Sequence, residues 1–152
     1  MKIASISQAE VNAFPQGAVW NAFVNLLAMS EESELGEEQI PAWHAFWYES
    51  EVQNGGHLQY FLNRGIREAS RAVISLRRLG GLGFSEILSG ALVVWELSER
   101  RNPTTPEECA SEALQAEFDD FDARYGYAEP ALMEILESHL AENQSLFVVI
   151  HP

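Results

Sequence analysis

The feature that most constrains this chain is a triplet, Asn54-Gly55-Gly56, set between its most aromatic segment and a short amphipathic one. Trp43, Phe46, Trp47 and Tyr48 precede it; Leu58, Tyr60, Phe61 and Leu62 follow. Asparagine and two glycines readily take positive φ, so they stop a helix and turn the chain sharply. Polar side chains crowd the turn: Glu51, Asn54, His57, Gln59 and Asn63. Such groups are costly to bury unpaired. The stretch Glu49–Asn63 is therefore expected to be a helix, a tight turn and a second helix, with a polar network holding the corner.

The same corner also offers the makings of a metal or an acid–base site. His44, Tyr48 and Glu51 share a helix face at i, i+4 and i+7, and Glu49 and His57 lie near in sequence. They are the right residue types for a metal or acid–base site, but no spacing such as HExxH is present. A hydrogen-bonded corner accounts for the same residues with less, so no metal, no cofactor and no catalytic residue is expected.

The pattern Glu51-Val52-x-Asn54-Gly55-Gly56-x-x-Gln59-Tyr60-Phe61-x-Asn63 resembles the signature of a bacterial family of acidic DNA-mimic proteins. The similarity is closest from Trp43 to Asn63 and extends to about Ser98. It implies an all-helical fold, a homodimer and a non-enzymatic role. The best-understood member presents carboxylates where DNA presents phosphates, and so occupies the DNA-binding face of a helix-turn-helix repressor. The matched residues, Glu51, Asn54, Gly55, Gly56, Gln59 and Asn63, read as structural. The carboxylates that would meet a partner lie outside the pattern and do not come from the resemblance.

Charge supplies candidates for them. The 152 residues carry a net −14, unevenly spread: −7 over residues 1–60, +3 over 61–102 and −10 over 103–152. That disfavours direct contact with nucleic acid or an anionic membrane and favours a basic partner. Ser30–Glu38 holds five acids without apolar periodicity, an exposed loop in which Glu31, Glu32 and Glu34 are candidate contacts. Thr105-Pro106-Glu107-Glu108 is a strong helix start, and the helix is expected to run to about Tyr125. Its core stripe would be Leu114, Phe118, Phe121 and Tyr125. Glu108, Glu112, Asp119 and Asp122 would then lie in an arc of about 80° and span roughly 21 Å. Such a row costs helix stability and brings nothing local in return: either solvation and net repulsion tolerate it, or it has a use, which makes it the second candidate surface. Alternatives of other classes are an immunity or antitoxin-like inhibitor of a basic toxin, and a binder of small anions.

That last alternative comes from Arg64, Arg67, Arg71 and Arg78, a basic stripe on a helix expected over Ile66–Leu79. Pairing with the chain's own acids or those of a dimer mate is the simpler reading, and exposed pairs contribute only about 0–1 kcal/mol each.

The rest reads as one all-α domain over 1–152, six or seven helices around a central apolar helix, Phe84–Ser98. Ser7-x-x-Glu10 is a capping box, Ala18–Met29 is amphipathic, and Gly80-Gly81 joins two helices. Gly90 allows another helix to approach closely. Glu129-Pro130 begins a last helix whose Leu132, Ile135, Leu136 and His139 face inward. The apolar tail Leu146–Ile150 is expected to pack on the bundle or across a dimer contact. Cys109, the single cysteine, is expected to be structural, and its solitude fits a reducing cytoplasm. No secretory pattern or membrane-length apolar run is seen.

Overall fold

The structure, a computed structural model, describes residues 1–98, 104–113 and 115–152. The order is β1 (Ala4–Ser7), α1 (Gln8–Ala13), α2 (Ala18–Ala28), a 3-10 turn (Glu32–Glu34), α3 (Ile40–Arg78), α4 (Leu82–Leu97), α5 (Pro106–Ala113), α6 (Asp119–Tyr127), α7 (Leu132–Phe147) and β2 (Val148–His151). The fold is an all-α bundle with a minimal strand pair.

The centre is α3 rather than the apolar helix after it. Helix α3 is broken twice, at Gly55/Gly56 and at Gly65, where the backbone leaves helical geometry. The three pieces fold back on one another and touch α2, α4, α6 and α7. Helix α4 is buried only along Phe84, Ser85, Ile87, Leu88 and Ala91. Its opposite face exposes Leu82, Val93 and Leu97, the last at 80%. An apolar circumference is therefore not full burial: α4 covers one side of α3. Gly90 lets α6 close on α4, for a Cβ there would stand 2.9 Å from Phe121 Cε1.

The ends of the chain meet. Ala4 to Ser7 pair in parallel with Val148 to His151, in the register Ala4↔Val148 and Ile6↔Ile150. The β-branched run Val148-Val149-Ile150 thus finds a strand partner as well as a bundle to pack on. Phe147 is fully buried, its ring 4.9 Å from that of Phe23. Gln39, also fully buried, locks the seam: its Nε2 donates to Lys2 O at 2.9 Å and to Leu146 O at 2.7 Å, and its Oε1 accepts from Gly36 N at 2.8 Å. Both amide hydrogens and one of the two oxygen lone pairs are used, which makes burial of a glutamine tolerable.

The long helix expected from Thr105 to Tyr125 does not form. Helix α5 ends at Ala113, Ala116 takes φ 55°, and α6 begins at Asp119. Leu114, expected in its core stripe, lies outside the described residues. A straight helix would have stacked Glu117 on Asp120 at i, i+3 and Asp119 on the Glu112 side, like charges that destabilise. The break instead puts Asp119, Asp120 and Asp122 in the first turn of α6, where the helix dipole welcomes them. It also sends Phe118 inward against Phe61 and Trp95, with ring centroids 5.5 and 6.3 Å away.

Candidate functional site

The corner of α3 forms a network, as its polar sequence requires. Glu51 Oε2 accepts from Gln59 Nε2 at 2.7 Å and from Asn63 Nδ2 at 2.8 Å, and Asn54 Nδ2 donates to Gln59 Oε1 at 3.3 Å. These bonds tie the first piece of α3 to the second across the glycines. Gly56, at φ 71° and ψ −174°, occupies a region essentially closed to other residues.

The same corner captures a residue from far away. Asp122 Oδ1 accepts from the His57 backbone N at 2.9 Å and lies 2.6 Å from its Nδ1. On the other side of the imidazole, Nε2 meets Tyr48 OH at 2.8 Å. A Cβ on Gly56 would stand 2.5 Å from Asp122 Oδ2, so the glycine serves close approach as well as the turn. Beside this chain, Tyr125 donates to Glu49 Oε2. Burial, then the facing charges, pushes the Tyr48 phenol well above its ordinary range, and burial together with Glu49 does the same to Tyr125. Both phenols stay protonated, and Tyr125 is thereby a donor to Glu49. The sequence flagged His57 and Tyr48; their link to Asp122 had no signal, because the two positions are 65 residues apart.

His44 does not join this group. Its Nδ1 meets Ser75 Oγ at 2.8 Å, and burial lowers its pKa to about 4. The ring is neutral at pH 7 and the site is structural. Among the described residues no group of three His, Cys, Asp or Glu is placed to hold a metal ion.

A family model described as DMP19-like protein matches residues 33–143. This chain belongs to the DMP19-like protein family. The match spans the region from the 3-10 turn through most of α7 and leaves out both strands, α1 and α2. It is a family of DNA mimics, without enzymatic activity. No curated protein and no solved structure matches the chain.

A member of a DNA-mimic family is to be judged by its carboxylates, and they fall into two groups. The loop acids are largely occupied: Glu32 sits in the fork of Arg71, Glu34 Oε2 is 3.4 Å from Lys2 Nζ and also accepts from Glu31 N at 2.9 Å. That backbone bond, then the lysine, lowers the Glu34 pKa. The second group is less occupied among the described residues. Glu107 and Glu108 on α5, and Asp119 and Asp120 on α6, are exposed, and Arg124 reaches Asp120 at 4.0 Å. Glu108 accepts from Thr104 N at 2.7 Å and Oγ1 at 3.1 Å, which caps α5 and lowers its pKa. Although α5 and α6 are separate helices, Glu112, Glu117, Asp119 and Asp122 come together around one 190 Å³ cleft floored by Gly55 and Leu58. The break in the helix thus gathers Glu112, Asp119 and Asp122 of the expected row, while Glu108 does not line the cleft. Asp122 is the exception in role, since one of its oxygens is spent on His57.

Of the arginines, Arg71 and Arg64 pair with the chain's own acids. Arg64 Nε binds Glu68 Oε1 at 2.6 Å while its guanidinium covers Trp47 and Trp43, 4.4 and 5.1 Å from the ring centroids. Burial raises the Glu68 pKa despite that arginine. Cys109, on α5, is exposed rather than packed inside. His139 sits at the core margin as expected, against Phe147 and Asn143. Among the described residues no helix is long and apolar enough to cross a membrane.

Proposed function

We propose that this protein is a DNA mimic that binds a basic DNA-binding protein of the helix-turn-helix repressor type, as a homodimer in the cytoplasm, and so relieves its hold on DNA. It acts by occupation and catalyses nothing. The observation that carries the reading, beside the family, is the carboxylates of Glu107, Glu108, Glu112 and Asp119 on α5 and α6, which make no ion pair among the described residues. A repressor grips DNA by neutralising phosphates with Lys and Arg, at one charge per about 1.7 Å of duplex. To divert it, a competitor must offer comparable density on a rigid frame. The contact residues are Glu108, Glu112, Asp119 and the outward oxygen of Asp122, with Glu31, Glu32 and Glu34 at the margin.

The test is a competition. A helix-turn-helix repressor from the same genome is bound to its fluorescent operator, and the protein is titrated in. Release of the operator is expected, with an apparent affinity that falls at least about 10-fold between roughly 50 and 300 mM salt. Equal affinity at both salt concentrations, or an operator that no repressor of this type surrenders, overturns the reading. Converting Glu112 and Asp119 to their amides weakens the competition without unfolding the protein.

A further inference from the structure

One feature of the sequence has no part in a DNA mimic: a cationic helix face in a chain of net charge −14. The last piece of α3 carries Arg67, Arg71, Ile74 and Arg78 within about 60° of helix arc, and Arg67 and Arg78 are about 16 Å apart along the axis. Own-chain pairing accounts for Arg71 alone of these, through Glu32. Arg67 and Arg78 are exposed and make no ion pair among the described residues. Between them Ile74 is 62% exposed. Leaving two cations unpaired in so acidic a protein forgoes attraction that was available nearby.

Each free arginine sits at the edge of a cleft. Arg67 shares a 320 Å³ cleft with Glu32, Arg64, Glu68 and Arg71. Both acids there are already held by the other two arginines, so Arg67 is the member with donors to spare. Arg78 shares a 310 Å³ cleft with Glu134, Ser138, His139 and Glu142, none of which it bonds. Glu134 and Glu142 face it and would temper, not cancel, an approaching anion's attraction.

We propose that the Arg67–Ile74–Arg78 face is a second binding surface, which takes an acidic amphipathic segment of a protein: one carboxylate in the Arg67 cleft, an apolar side chain on Ile74 and a second carboxylate at Arg78. The carboxylate in the fork of Arg71 shows which chemistry this face accepts. Nucleic acid fits less well, because the net charge repels it at range and a phosphate backbone leaves Ile74 uncovered. This surface does not depend on the DNA-mimic reading, since it is opposite in charge and uses none of the same residues save Glu32.

The probe is a synthetic acidic peptide, helical over about 16 Å, with two glutamates flanking a leucine. Beside it go the same peptide with serine for leucine and a short DNA duplex. At low salt the leucine peptide is expected to bind the full-length protein, the serine peptide several-fold more weakly, and the duplex not at all. Arg67→Glu with Arg78→Glu should weaken the peptide at least about 10-fold, because an attraction at each end becomes repulsion. Arg124→Glu, an equal change per site on α6, should leave it within about 2-fold. Circular dichroism checks that each variant keeps its helix content. No peptide binding, equal binding of the serine peptide or the duplex, or an equal loss in the Arg124 variant each overturns the proposal. Operator competition by the Arg67/Arg78 variant is measured alongside; it stays intact whether or not the peptide site is real, which separates the two surfaces.

Discussion

Two polar regions of this protein lie side by side and obey opposite rules. At the corner of α3 polar side chains bond to one another inside the chain: Glu51 with Gln59 and Asn63, His57 with Tyr48 and Asp122, Glu49 with Tyr125. Beside it, α5 and the start of α6 carry Glu107, Glu108, Glu112 and Asp119, which make no ion pair among the described residues. Buried polar groups must be satisfied or the fold loses several kcal/mol. Exposed acids face no such demand, because water solvates them. Asp122 belongs to both regions, and by binding the corner it fixes the acidic helix to the rest of the molecule. The corner is thereby the mount and the acids the display.

The sharpest way to break the mount is Gly56→Ala. The new residue would be strained at φ 71° and its Cβ would collide with Asp122 Oδ2. Gly65 has nearly the same backbone geometry, φ 76° and ψ 173°, with nothing near its missing Cβ. Gly65→Ala should cost about 1–3 kcal/mol from strain alone, and Gly56→Ala about 2 kcal/mol more, because Asp122 is expelled as well. Urea denaturation of the pair measures the difference; equal losses would mean that Asp122 does not need the glycine.

Next in size comes Asp122→Ala, which strips the acceptor from His57 N and a partner from its Nδ1 in a fully buried ring. A loss of about 2 kcal/mol is expected, with faster amide exchange in α6 than in α2. Uniform exchange across the bundle would show that α6 is held by apolar packing alone.

A comparable effect can be drawn from pH without mutation. Burial lowers the pKa of His44 to about 4, whereas an unfolded histidine titrates near 6.5. The unfolded chain therefore binds the proton more tightly, and stability falls as pH drops through the window from about 6.5 to 4. Between pH 7 and 5 His44 should contribute a loss of about 2 kcal/mol. His139, lowered by burial too, adds in the same direction. His44→Asn keeps a partner for Ser75 and removes the titration, so the difference between the two denaturation profiles isolates it. Parallel profiles would contradict a buried neutral ring.

How much of this could be read from sequence follows from the range of each interaction. The corner was legible because its bonds run over twelve residues or fewer, from Glu51 to Asn63, and because glycine pairs announce turns. The capping box at Ser7 and Glu10 is equally local. The Asp122 clamp, the Gln39 lock and the pairing of β1 with β2 join positions 65 to 144 residues apart, and no periodicity encodes them. Helix α4 misled for another reason: its apolar outer face looks like core in any one-dimensional reading. The acidic row misled because helix propensity and capping say where a helix starts but not that α5 stops at Ala113 and the chain turns through Ala116 at φ 55°.

The smallest effect on stability bears most on the comparison. Glu107, Glu112, Asp119 and Asp120 carry no cap bond, and at most a 4.0 Å contact with Arg124, so replacing all four by their amides removes little attraction. It also removes like-charge repulsion, while Asp119 and Asp120 give up a favourable place at the positive end of α6. These terms oppose one another, and the net change should lie within about 1 kcal/mol. A protein built only to stay folded would scarcely register four lost charges. A loss of several kcal/mol would make the acids structural, parts of the mount after all. Unchanged stability together with a weakened grip on the repressor would place selection for them outside the fold, on the surface that a DNA-binding protein meets.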